Sequence, residues 1–226
     1  MYKDIRKKYE IVRGAISYEL ANFLLNYFLM QRDATAHLMH HKIIKDVAFG
    51  SLYGTWKDTQ APNTFSKYAD WGIETLLMKL LPFMSKITGL PLIPSYGYGR
   101  IYKKGDELVR HKDRVSCEIS YTLHLGGDPW EIFIDPSGKS SVKKVINDNK
   151  VILKKNPQKG FPILLKPGDM IVYRGEEIEH WRKPFKGNIH AQAFGHYNNE
   201  QGPHGRDNLF DGRPLMGVPD IKYLKN

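Results

Sequence analysis

The chain has 226 residues, of which 41% are hydrophobic, 12% aromatic and 26% charged, and its 34 basic against 24 acidic residues give a formal net charge of +10. That composition fits one globular domain with a sizeable core and excludes a fibrous or intrinsically disordered chain. The single cysteine, Cys117, excludes an internal disulfide framework and a Cys-rich structural zinc site.

The opening "MYKDIRKKYEIVRG" is charged and has no apolar leader, and no stretch approaches the roughly 18 apolar residues of a membrane span, so a cytoplasmic protein is expected. Helices come first. In "GAISYELANFLLNYFLMQRDATAHLM", Leu20, Phe23, Leu24, Tyr27 and Phe28 recur at helical spacing behind Ser17 as N-cap. A second helix is predicted from about Phe65 to Thr88, with Tyr68, Trp71, Leu76, Leu80 and Phe83 as its repeat and Gly89 as its stop. The linker between them, Val47 to Phe65, is rich in Gly and turn formers and is expected to cover a barrel mouth as a lid.

From Ile93 the pattern changes to short alternating runs separated by turn signals, which predicts an antiparallel sandwich or barrel. Strands are predicted near Ser95 to Tyr102, Glu118 to Leu125, Trp130 to Ile134, Val142 to Ile146, Val151 to Lys154, Ile163 to Leu165, Met170 to Tyr173 and Ile189 to Tyr197. The whole reads as a single domain, 1–226: a mainly helical part over 1–92, a β core over 93–197 and a wrapping tail over 198–226. Between Lys139 and Lys159 stand seven lysines and one acid, Asp148. They read either as guards of an exposed hairpin edge or as a docking arm for an acidic partner.

The chemistry concentrates at "LVRHKDRVSCEISYTL". If a strand begins with His111, positions i and i+2 share a face, so His111 and Asp113 can reach one ion together. The third ligand is His180 in "KPGDMIVYRGEEIEHWR", which follows a Pro-Gly-Asp turn and a short strand. Two histidines and a carboxylate leave coordination positions open, as in non-haem Fe(II) oxygenases; a zinc hydrolase uses a similar set and would need a general base, for which Glu118 and Glu179 are the acids near in sequence. Cys117 reads as a core residue, and "HLMHHK" with His37, His40 and His41 as a solvated helix end.

In order and spacing, "YGRIYKKGDELVRHKDR", "SCEISYTLHL", "KPGDMIVYRGEEIEHWR" and "HAQAFGHY" resemble the Fe(II)/2-oxoglutarate-dependent oxygenases, in particular their prolyl-4-hydroxylase-like branch. The resemblance spans roughly residues 94–197 and implies a mainly β fold, a double-stranded β-helix (jelly roll, cupin-like) with N-terminal α-helices packed on it. It also implies Fe(II) on His111, Asp113 and His180, with 2-oxoglutarate as co-substrate and O₂ as oxidant. The reaction would hydroxylate a C–H bond, in this branch a prolyl or other peptidyl one, with a nucleic acid or a small metabolite as the open alternatives.

For the distal carboxylate of 2-oxoglutarate such hydroxylases place a Lys or Arg on the strand after the second histidine. Here His190 stands ten positions after His180, a departure. Strand alternation puts His190, Gln192, Phe194 and His196 on one face. His190 with help from Arg182 is the expected anchor, since a guanidinium fork suits a carboxylate. Tyr102 resembles the tyrosine used near that carboxylate. Arg100, its neighbour in alternation, is a substrate contact, while Tyr121 reads as packing. The departure at His190 also leaves open a non-catalytic jelly-roll binding module.

Overall fold

The computed structural model describes residues 8–45, 51–137, 139, 142–145, 151–153 and 159–219. In chain order it contains β1 (Tyr9–Val12), α1 (Tyr18–His40), β2 (Phe65–Tyr68), α2 (Trp71–Thr88), β3 (Leu92–Lys103), β4 (Leu108–His111) and β5 (Ile119–Gly127). These are followed by β6 (Ile132–Asp135), β7 (Val142–Val145), β8 (Val151–Leu153), β9 (Phe161–Ile163), β10 (Met170–Tyr173), β11 (Glu179–Arg182) and β12 (Ile189–Asn199).

Two antiparallel sheets form the jelly roll, one ordered β1-β10-β5-β12-β3-β2 and one ordered β4-β11-β6-β9. Alternation along the central strand β12 decides which face does what. Ala191 and Ala193 join Leu24, Phe28, Ile73, Leu77 and Met84 in a core between the large sheet and the two helices. His190, Gln192, Phe194 and His196 point the other way, into the space between the sheets. The largest apolar core therefore lies outside the barrel, under the helices, while the space between the sheets holds these polar residues beside a smaller apolar cluster of Ile132, Ile134, Ile171, Tyr173 and Ile178.

Ser17 caps α1 as expected, accepting from the amide of Leu20. The buried stripe is Ala21, Leu24, Phe28 and Thr35, so Phe23 faces outward, 66% exposed, because it lies one residue off that stripe. The second helix starts at Trp71, not Phe65. Residues Phe65–Tyr68 pair with β3 instead, and Asp70 caps α2 by accepting from Ile73 at 3.0 Å. Gly89 ends α2 in the left-handed region, φ 69°.

The expected strands appear, Met170–Tyr173 with its expected bounds and the others with shifted ends, the 163–165 strand lying earlier as β9. Four strands were not anticipated: β1, β2 and the two that carry metal-ligand candidates, β4 and β11. The lysine-rich stretch pairs β7 with β8 as a separate two-stranded sheet, and the rest of 140–158 lies outside the described residues. No helix among the described residues is long and apolar enough to cross a membrane.

Candidate active site

His111 is the last residue of β4, not the first of a strand, and Asp113 lies beyond the strand end, before a short 3₁₀ turn over Val115–Cys117. The pair still converges. The Asp113 amide donates to the Gly175 carbonyl at 2.9 Å, which swings the carboxylate back toward the imidazole. His180 sits on β11 directly opposite His111, in antiparallel register with it.

The three side chains form one ligand set. Asp113 Oδ1 lies 3.6 Å from His111 Nε2 and 3.5 Å from His180 Nε2. Each histidine has its Nδ1 on a main-chain carbonyl, His111 on Val109 at 2.7 Å and His180 on Ile178 at 3.1 Å. Those bonds require the proton on Nδ1 and leave the Nε2 lone pairs facing the carboxylate, as metal-ligating imidazoles need. Burial, joined by the neighbouring His111, pulls His180 down to about 4, so it is neutral and ready to bind at neutral pH. The donors fit a divalent cation with open coordination positions.

Asp113, Cys117 and His196 make a second close group that shares the carboxylate. Its thiol is poorly suited to a cation, because burial, with Asp113 nearby, pushes Cys117 far above its ordinary value and keeps it protonated. His196 serves the first group instead. Its Nδ1 meets Ser120 Oγ at 2.8 Å, and that hydroxyl donates to Asp113 Oδ2 at 3.0 Å.

The ligand set opens into a cavity of about 750 Å³ that also reaches Arg182, two residues along β11 from His180 and on the same face. Arg182 is 2% exposed. It donates from Nη1 to the Trp130 carbonyl at 2.6 Å, while its Nε has no partner. Among the described residues no carboxylate pairs with it. Every other buried arginine here has one: Arg100 has Asp58, Arg110 has Asp135 and Glu179, and Arg213 has Glu74. Burial alone pulls the Arg182 guanidinium down to about 10. A buried cation without a counter-charge beside an open cavity is a receptor for an anion.

His190 packs beside Arg182 but does not line the cavity; it stacks on His124 with ring centroids 4.3 Å apart, its Nδ1 on the Asp128 carbonyl at 2.8 Å. Its burial and the adjacent Arg182 hold it far below its usual value, hence neutral. Tyr102 also sits behind the lining, its hydroxyl accepting from Arg100 at 2.9 Å. Arg100 lines the cavity, but its charge is spent on Asp58, so it is a wall fixture more than a free contact. Tyr121 is fully buried in the core, as packing requires. Glu179 is bound to Arg110 at 2.7 Å and Glu118 to the Asn199 amide at 2.9 Å, so neither acid is placed as a general base.

Sequence reasoning missed four contributors. Asp58 arrives from the 51–64 loop and accepts from Tyr98 and Arg100, fastening that loop over the barrel. Asp211 arrives from the tail and takes both ends of Arg114, at 2.8 and 2.6 Å, and the Tyr68 hydroxyl at 2.6 Å. Tyr96 and Tyr98 line the same wall as Arg100, a signal available in the alternation of "YGYGR".

No family model matches the sequence, and no curated protein does. Solved structures do match in fold. The epimerase SnoN, in complex with Fe3+, alpha ketoglutarate and nogalamycin RO, superposes with a TM-score of 0.58 at 14% identity, over 95% of this chain and 91% of its own. A Pseudomonas putida prolyl-4-hydroxylase gives 0.55 at 14% identity, over 86% and 94%. HygX from Streptomyces hygroscopicus, with nickel and 2-oxoglutarate bound, gives 0.54 at 14%, over 86% and 84%. The jelly-roll fold is common to all of them.

Proposed function

We propose that the chain is an Fe(II)- and 2-oxoglutarate-dependent dioxygenase that hydroxylates a C–H bond of its substrate. One observation carries the reading: the uncompensated guanidinium of Arg182 and the His111, Asp113, His180 ligand set open into the same cavity. A bare metal site would have no use for a buried cation two residues away. A dicarboxylate that chelates a metal at one end and needs a counter-charge at the other has a use for both.

His111, Asp113 and His180 would hold the iron, and Ser120 would fix the second carboxylate oxygen of Asp113 so that the first stays aimed at it. Arg182 would take the distal carboxylate in place of the strand-borne cation that is absent at His190. Tyr173 and Thr122, whose hydroxyls lie 3.2 Å apart, line the passage between the two ends. When bound, Fe(II), 2-oxoglutarate and O₂ together supply the oxidant for C–H cleavage and leave succinate and CO₂. The protein's part is to orient the dicarboxylate and exclude water, which the fastened 51–64 loop and the aromatic wall support.

The test is anaerobic addition of Fe(II) and 2-oxoglutarate to purified protein, observed for the weak visible charge-transfer band of a chelated keto acid, with His180→Ala as control. A band in wild type that is absent in the variant is the expected result. No band, with tight zinc retention, would overturn the reading in favour of a hydrolase or a binding module.

A further inference from the structure

The outer half of the cavity has its own chemistry. Three tyrosines, Tyr68, Tyr96 and Tyr98, line it, and each hydroxyl is engaged within the protein: Tyr68 with Asp211 at 2.6 Å, Tyr96 with the Cys117 sulfur at 3.2 Å, Tyr98 with Asp58. What they add to the lining is ring surface with one face already under a guanidinium, Arg213 over Tyr68, Arg114 over Tyr96 and Arg100 over Tyr98. Phe194 continues that surface, its ring centroid 6.2 Å from that of Tyr98. An apolar, flat-walled space suits a ring-shaped body.

Charge at the mouth has a positive excess. Lys57, Lys112 and Arg114 line it with Asp58 and Asp211, of which Asp58 is paired with Arg100 and Asp211 with Arg114 itself, so the excess is carried by Lys112 and by the donors Asp211 leaves on Arg114. Lys112 has no acid within ion-pair distance among the described residues. Arg114 lies over the Tyr96 ring, 4.8 Å from its centroid, and its side chain is 55% exposed. Asp211 occupies one N–H on each terminal nitrogen, so three of the five guanidinium N–H donors remain beyond that ion pair. A cavity mouth of one sign concentrates ligands of the other.

Two fastened walls limit the size of what enters. The 51–64 loop is held by Asp58 on Arg100 and Tyr98, and the tail by Asp211 on Arg114 and by Arg213 on Glu74 at 2.6 Å. They narrow a half-open cavity of about 750 Å³, a volume in the small-molecule range.

We propose that this outer chamber binds a small anionic ring compound, a carboxylate or phosphate ester, with its anion on Arg114 and Lys112 and its body against Tyr96, Tyr98 and Phe194. That the compound bound there is the substrate rests on the oxygenase reading; that it binds does not.

The experiment uses three probes of one shape, 1-naphthyl phosphate, 1-naphthol and 1-naphthylmethylamine, titrated by naphthyl fluorescence polarisation. The protein is the full chain, held anaerobically with Fe(II) and saturating 2-oxoglutarate, so that Arg182 is already engaged. The phosphate should bind at least about tenfold tighter than the alcohol. Arg114→Gln should weaken the phosphate about fivefold or more and Asp211→Asn should strengthen it, by removing a competing carboxylate. Both variants cut the same tie between tail and site, so a merely structural role would move both in one direction. Equal binding of phosphate and alcohol, tighter binding of the amine, or parallel effects of the two variants would overturn the proposal. Failure of the oxygenase reading shows separately, as absence of the keto-acid band, whatever the probes do.

Discussion

The main-chain bond from Asp113 to Gly175 places a carboxylate and a bare Cα in contact: a Cβ built on Gly175 would lie 2.5 Å from Asp113 Oδ2 and 2.3 Å from the Cys117 carbonyl. The glycine is required by close approach, since its backbone is otherwise ordinary. Gly175→Ala should cost about 1–3 kcal/mol of stability through overpacking. It should also weaken metal binding by displacing the Asp113 carboxylate. Chemical denaturation and metal titration of the same variant check both, and an unchanged metal affinity would separate the glycine from the site.

Arg182→Met should have effects of opposite sign in two assays. Removing a buried, uncompensated charge should raise the melting temperature of the metal-free protein. The stabilisation that wild type gains from 2-oxoglutarate, about 2.7 kcal/mol at a hundred times its dissociation constant, should vanish. Differential scanning fluorimetry with and without the keto acid reads both. A variant that keeps the ligand-induced shift would place the anchor elsewhere.

Ser120→Ala removes the hydroxyl that links His196 to Asp113. Metal affinity should fall about 10-fold or more with the ligands themselves intact, the usual cost of an unsupported ligating carboxylate. Competition against a chromophoric chelator measures it.

Asp58 carries the pH dependence of the 51–64 loop. Burial alone would raise its pKa, but the Arg100 charge and the Tyr98 hydroxyl outweigh burial and leave it lowered. Its stabilising contribution is therefore complete above its unfolded value, about 4, and lost as pH falls through the lower folded value. Limited proteolysis of the loop should stay slow from pH 5 to 8 and accelerate only in strong acid. Asp58→Ala, which strands Arg100 as a buried cation, should cost about 3–5 kcal/mol and open the loop at neutral pH.

Which parts of the molecule were legible in the sequence follows from where the charges lie. Strands β5, β10 and β12 were readable because their apolar and polar residues alternate or run unbroken between turn signals. Strands β4 and β11 were not, because Arg110 and Glu179 are buried against each other and against Asp135, a polar layer inside the structure that looks like a solvated surface in sequence. The convergence of His111, Asp113 and His180 was legible from the spacing of the first two and the turn before the third, although the same-strand argument for it was not how the fold brings His111 and Asp113 together. Arg182 was visible beside His180; that it alone lacks a counter-charge required the structure. Asp58 and Asp211 reach the site from loops 42 and 97 residues away from their arginine partners, a distance that no local pattern encodes.

The position of β12 has a consequence for how the chain assembles. This strand lies at the centre of the large sheet, hydrogen-bonded to β3 on one side and β5 on the other, yet it is the last of the described strands in the sequence. Until it arrives, β2 with β3 and β1 with β10 and β5 are two separate half-sheets, each with an open edge. Pairings of such long sequence separation make for slow folding, and unpaired edges are sites of association between chains. A polypeptide emerging from the ribosome therefore exposes both edges until its final strand is made. Residues Ile189–Asn199 act as the closing wedge, and a premature stop before them would yield an aggregating fragment instead of a smaller folded domain.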